Sequence, residues 1–137
     1  MTEDELNQLT EKIIKSAFTV SNSLGVGFLE KVYENALAHE LQQAGLIAEQ
    51  QRMINVRYGG VVVGHYFADI LVNNTVVVEI KAAQRHENIF TAQCLNYLKA
   101  TGMPLCLLLN FGQPRLDIRR YRGRSNSSHG STPMSTI

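Results

Sequence analysis

Leu6, Leu9, Ile13, Ala17, Val20 and Leu24 recur at steps of three and four and trace the buried stripe of an amphipathic helix. Thr2 and Glu5 have the form of a capping box, Glu3 and Asp4 suit the positive end of a helix dipole, and Gly25 closes the segment. A second helical pattern runs from about Phe28 to Ala44, with Gly45 at its end. The period then changes to two. Ile54, Val56 and Tyr58 alternate with Met53, Asn55 and Arg57, which predicts a strand with one buried face. Gly59-Gly60 makes a turn into a second strand, Val61 to Val72, bent at Gly64, and a third follows from Val76 to Lys81. The Asn73-Asn74 pair between them marks a hairpin.

A helix is expected from Asn88 to Thr101. After Gly102 and Pro104, the run Leu105 to Leu109 reads as a strand covered on both faces, and Leu116 to Tyr121 alternates as an edge strand would. The strand-helix-strand passage from Val76 to Leu109 calls for a right-handed parallel crossover, whereas the strands before it are hairpin-linked and antiparallel. The fold class that reconciles both is α/β, a mixed sheet flanked by helices. We expect one domain over residues 1–121. From Arg122 onward the Gly, Ser, Thr and Pro content predicts a flexible C-terminal tail, 122–137.

Composition changes this picture little. Hydrophobic residues make up 45% and charged residues 18% of the 137, enough for a sizeable core. The formal net charge is +1, so an interaction with nucleic acid has to rest on a local site rather than on overall charge. Cys94 and Cys106 lack metal-ligand spacing and lie among apolar residues, as reduced buried thiols would. No apolar run approaches membrane-spanning length, and the N-terminus is acidic and amphipathic. A cytoplasmic protein with no membrane partner is the expectation.

The chemistry concentrates in Phe67-Ala68-Asp69-Ile70-Leu71 and Val77-Val78-Glu79-Ile80-Lys81. Charges inside strands this apolar are costly to bury unless they pair or bind an ion. Glu79 and Lys81 are two apart and share a face. Two carboxylates beside a lysine can hold Mg²⁺ through oxygen ligands while the ammonium polarises a water. A buried ion-pair network is the structural alternative. Register discriminates. A two-residue turn would pair Asp69 with Val78 and put the two acids on opposite faces. A three-residue loop, Asn73 to Thr75, pairs Asp69 with Glu79. We expect the three-residue loop, since Asn tolerates the left-handed conformation it needs.

Three further residues stand near this motif. Glu30 falls within the apolar arc formed by Leu29, Val32, Tyr33, Ala36, Leu37, Leu41 and Ala44, pointing between Leu37 and Leu41, where an acid could complete a carboxylate cluster or serve structurally. Gln93 interrupts the stripe Ile89, Gln93, Tyr97, Ala100, where its amide could orient a water, a carboxylate or a phosphate. Tyr97 can pack its ring while its hydroxyl reaches the site. Arg115, Arg119, Arg120, Arg122 and Arg124 form a basic cluster that could track a phosphate backbone or keep an edge strand soluble.

The order Asp69, then Glu79-Ile80-Lys81, then Gln93-x-x-x-Tyr97 resembles the PD-(D/E)XK nuclease superfamily, with the trailing motif of its RecB-like branch. Gly27-Phe28-Leu29-Glu30-Lys31-Val32-Tyr33 is similar to the motif that names the GxxExxY family within it. Ala68 stands where many members have proline. The resemblance implies a restriction-endonuclease-like sheet and hydrolysis of phosphodiester bonds in nucleic acid, DNA rather than RNA. It implies Mg²⁺ or Mn²⁺ held by Asp69, Glu79, the Ile80 carbonyl and Glu30. Lys81 would position the attacking water, and Gln93 and Tyr97 would support the site. It equally allows a silent nucleic-acid-binding or regulatory subunit, and a homodimer or larger assembly.

Overall fold

A computed structural model describes residues 1–123. The elements, in chain order, are α1 (Glu3–Leu24), α2 (Glu30–Gln43), β1 (Ala48–Tyr58), β2 (Val61–Val72), β3 (Val76–Lys81), α3 (Asn88–Thr101), β4 (Leu105–Asn110) and β5 (Asp117–Arg122). The strands lie in chain order, β1-β2-β3-β4-β5. Every neighbouring pair is antiparallel except β3–β4, which α3 connects as the crossover.

Alternation along β3 separates two cores. Val76, Val78 and Ile80 pack beneath α1 and α2 with Ile13, Leu37 and Leu41, while Val77 faces α3 with Cys94 and Leu98. All six residues of β4 are buried because it is covered on both faces. No helix among the described residues is long and apolar enough to cross a membrane.

Helix α1 begins at the expected capping box, with Thr2 and Glu5 exchanging backbone and side-chain hydrogen bonds. Between α1 and α2 the chain turns through Gly25 and Gly27, and Gly27 adopts φ 111°, a conformation closed to residues with a side chain. Tyr33 holds this turn: its hydroxyl donates to the Gly25 carbonyl at 2.6 Å and accepts from the Phe28 amide at 3.2 Å. Its ring stacks on Phe111, at 4.9 Å between centroids.

Three expectations need correction. Strand β1 starts at Ala48, well before the visible alternation; Glu49, Gln50, Gln51 and Arg52 are exposed on an edge strand, so no apolar rhythm marks them. Helix α2 starts at Glu30 rather than Phe28, and its buried residues are Tyr33, Glu34, Leu37, Ala38 and Leu41, with Leu29 80% exposed. Arg122 is the last residue of β5, paired with Leu105 and hydrogen-bonded to Glu3, and so belongs to the sheet rather than to a tail. Residues 124–137, including Arg124, lie outside the described residues.

The feature that positions the chemistry is the junction of β2 and β3. The ladder runs through Val72↔Val76, Leu71↔Val77 and Ile70↔Val78 and then stops, whereas β2 continues to pair with β1 as far as Val61↔Tyr58. The loop is the three-residue one, Asn73 to Thr75, and Asn73 and Asn74 both take left-handed φ values, 50° and 51°. Past Ile70 and Val78 the two strands diverge, and Asp69 and Glu79 stand on opposite arms of the fork.

Candidate active site

Where the ladder stops, side chains replace backbone partners. The Asp69 amide donates to Glu79 Oε2 at 3.1 Å, and the Ile80 amide donates to Asp69 Oδ2 at 2.7 Å. Each carboxylate thus satisfies an amide that the opposite strand has abandoned, which a sheet interior requires. The N–H and C=O of one strand residue point to the same side, so the Ile80 carbonyl also faces the fork. Each acid keeps a second oxygen: Asp69 Oδ1 receives only a long contact, 3.4 Å, from Gln51 Nε2, and Glu79 Oε1 has no hydrogen bond among the described residues.

Lys81 shares the α3 side of the sheet with Glu79. Its ammonium donates to Gln93 Oε1 at 2.9 Å and stands 4.8 Å from the centroid of the Phe90 ring. Gln93 therefore holds the lysine, and the cation-π contact fixes it from below. The Tyr97 hydroxyl donates to the Phe67 carbonyl at 3.1 Å, tying α3 to the β2 arm two residues before Asp69. The structure brings Asp69, Glu79, Lys81, Gln93 and Tyr97 into one region.

Glu30 does not join them. It is exposed at the first position of α2. Its angular direction coincides with the buried side of the helix, but it stands about 6 Å along the axis from the next acid on that side. That acid is Glu34, 4% exposed, and sequence reasoning passed over it. Glu34 accepts from Gln50 Nε2 at 2.8 Å and Gln51 Nε2 at 2.9 Å, and pairs with Lys31 at 3.2 Å. Consecutive strand residues ordinarily point to opposite faces. Gln51 escapes this by taking φ 54°, a strained value for a non-glycine residue, in the gap between the β1–β2 pairs Gln50↔Ile70 and Arg52↔Ala68. The kink places one amide between Glu34 and Asp69. In the sequence Glu34 stands only at the margin of the apolar arc, just beyond the direction of Leu41.

The electrostatics follow from this crowding. Burial pushes the Asp69 carboxyl above its ordinary range, against the stabilising Ile80 hydrogen bond, and the Glu34 charge adds to the rise. Glu79, 3% exposed, is pushed well above its range by burial first and by the Asp69 charge second. Lys81 lowers both, but as the smallest influence, as expected of an ammonium bonded to Gln93 rather than to either acid. The fork therefore carries uncompensated negative potential. Among the described residues no three His, Cys, Asp or Glu side chains form a complete ion cage. Mg²⁺ does not need one, since it keeps several waters and takes one or two carboxylates together with substrate phosphate.

The basic residues of β5 are engaged elsewhere. Arg119 pairs with Asp117 at 2.9 Å, Arg120 donates to Asn7 at 3.2 Å and Arg122 pairs with Glu3. His86 contacts the Thr91 hydroxyl, which meets that of Tyr121.

A family model described as the PD-(D/E)XK nuclease superfamily matches residues 7–121. The chain belongs to this superfamily. Its mixed sheet with flanking helices is the restriction-endonuclease-like arrangement of the superfamily, and nucleic acid is the substrate class that membership implies. No curated protein and no solved structure matches the chain.

Proposed function

We propose that this chain is a divalent-metal-dependent nuclease that hydrolyses phosphodiester bonds, DNA in preference to RNA, at the fork between β2 and β3. The observation that carries the reading is the convergence of Asp69 and Glu79 in that fork, each with an oxygen to spare and each pushed toward the protonated form by burial and by its neighbour's charge. A bound cation relieves that repulsion. The donors suit Mg²⁺ or Mn²⁺: hard carboxylate oxygens from Asp69 and Glu79, and the Ile80 carbonyl on the same side.

The metal would polarise the scissile phosphate and lower the pKa of a bound water. The remaining roles fall to the chain itself. Lys81, held by Gln93 and Phe90, orients the attacking water and faces the charge that builds on the phosphate. Glu34 with Gln51 replaces Glu30 as the additional acid that sets Asp69 in place. Tyr97 holds the β2 arm against α3.

The test is incubation of the full chain with linear DNA, single-stranded DNA and RNA in Mg²⁺ or Mn²⁺. Cleavage is expected with either metal and not with EDTA. Lys81→Ala and Glu79→Gln proteins of unchanged circular dichroism should lose at least about a hundredfold in rate, the usual effect of removing one charge-stabilising group. Folded protein that binds nucleic acid without cutting it under any of these conditions would instead be a silent member of the superfamily.

A further inference from the structure

Away from the acids, the arms of the β1–β2 hairpin and α3 enclose an open cleft of about 500 Å³. Arg57 and Lys99 line it, with Asn55, Tyr66 and Asn96, and no acidic residue does. In a chain of net charge +1 this is a local asymmetry and not the average of a basic protein. It is also an available one. Lys31, Arg52, Arg119 and Arg122 all have acidic partners, whereas neither Arg57 nor Lys99 forms an ion pair among the described residues.

The wall is shaped for contact. The hairpin register shifts between Val56↔Gly64 and Arg57↔Val62, leaving Val63 of β2 as the extra residue across from the cleft-lining Val56 and Arg57. Tyr66 is 44% exposed, yet its ring is fixed edge-to-face against Tyr97 at 5.5 Å between centroids. A flat aromatic surface is thus presented to solvent with little mobility left to lose on binding. Tyr97 also connects the cleft to the fork through its bond to the Phe67 carbonyl.

We infer that this cleft binds a single-stranded stretch of nucleic acid leading to the fork. Arg57 and Lys99 meet successive phosphates, Tyr66 stacks on an unpaired base, and the Asn96 amide supplies sequence-tolerant hydrogen bonds. A paired base inside a duplex hides its faces in the stack, so the Tyr66 platform selects an open strand. The inference rests on the nuclease reading and names the substrate form that the same site would receive.

Binding is measured apart from cleavage, in EDTA, by fluorescence anisotropy of a labelled oligothymidine and of a duplex of equal length. The full chain should prefer the single strand. Tyr66→Ala should weaken binding about 5- to 150-fold, the usual value of one stacked base, and Tyr66→Phe should restore it. The double variant Arg57→Gln, Lys99→Gln should weaken it further and reduce the slope of log affinity against log salt by about 1.4, two released counterions at roughly 0.7 each. Circular dichroism should be unchanged in all three, and melting temperature unchanged in the double variant, with a slightly lower midpoint in Tyr66→Ala from loss of its contact with Tyr97. Absence of single-strand binding, a preference for duplex, or variants with wild-type affinity and salt slope would overturn the inference. If Mg²⁺-dependent cleavage persists in that case, the nuclease reading survives alone. If the cleft variants lose binding while the wild type never cleaves, the cleft stands and the nuclease reading falls.

Discussion

Glu79 has almost no solvent, one backbone hydrogen bond and a second carboxylate as its nearest opponent. Its raised pKa and that of Asp69 mean that the folded chain retains protons that the unfolded chain has released. Across the interval between the ordinary carboxylate range and the raised values, unfolding free energy must therefore fall as pH rises. Melting in EDTA should show a lower midpoint at pH 8 than at pH 5.5, and Glu79→Gln should flatten the difference by several degrees, since about 1 kcal/mol corresponds to roughly 3–6 °C in a domain of this size. Mn²⁺ should raise the wild-type midpoint more at pH 8 than at pH 5.5, because protons compete for the same oxygens. An identical pH slope in wild type and variant would show that neither burial nor Asp69 raises the Glu79 pKa. Asp69, Glu79 and Lys81 were legible in the sequence because charges in apolar strands stand out. Glu34 was not, because helical periodicity gives direction around an axis and not height along it, and Glu30 points the same way one turn too early. The kink at Gln51 was invisible, since no residue-type rule places a left-handed glutamine in a strand.

At the level of elements, the entry into α2 depends on a single hydroxyl. Tyr33 joins the Gly25 carbonyl to the Phe28 amide, and its ring is fully buried against Phe111. Tyr33→Phe keeps the ring and leaves both backbone groups without that partner. It should cost about 1–2 kcal/mol in urea unfolding with an unchanged m-value. A loss below about 0.3 kcal/mol would mean that solvent already serves those groups. The same contact explains why the Gly27-to-Tyr33 spacing in the sequence is informative: the glycine permits the turn and the tyrosine fastens it. Strand periodicity located β3 and β4 well, because buried strands must alternate or be wholly apolar, and the Gly59-Gly60 and Asn73-Asn74 turns bounded β2, whose first seven residues are not buried. Both signals failed at the start of β1, whose exposed edge leaves composition unconstrained, and at Arg122, whose sheet pairing is continued by contact with distant Glu3.

For the whole molecule, the two cores share one sheet, and β3 and β4 contribute side chains to both. Loss of either layer strips a face from the same buried strands, so the layers should not unfold separately. Cys94 and Cys106, both fully buried in the α3 layer, report on this. Their labelling by a thiol reagent should rise at the same urea concentration at which helical circular dichroism disappears, and earlier labelling would show that α3 opens alone. The parallel crossover and the mixed sheet were foreseeable from element order, whereas the divergence of β2 from β3 was not, since it depends on where a ladder ends rather than on which strands form. That divergence has a consequence for reading related chains. The acids clasp the sheet at its split by capping two abandoned amides, so a descendant that had given up turnover would still be stabilised by them. Retained carboxylates at these positions can therefore be a scar of architecture, and the ammonium of Lys81, which caps no backbone group, is the better witness to chemistry.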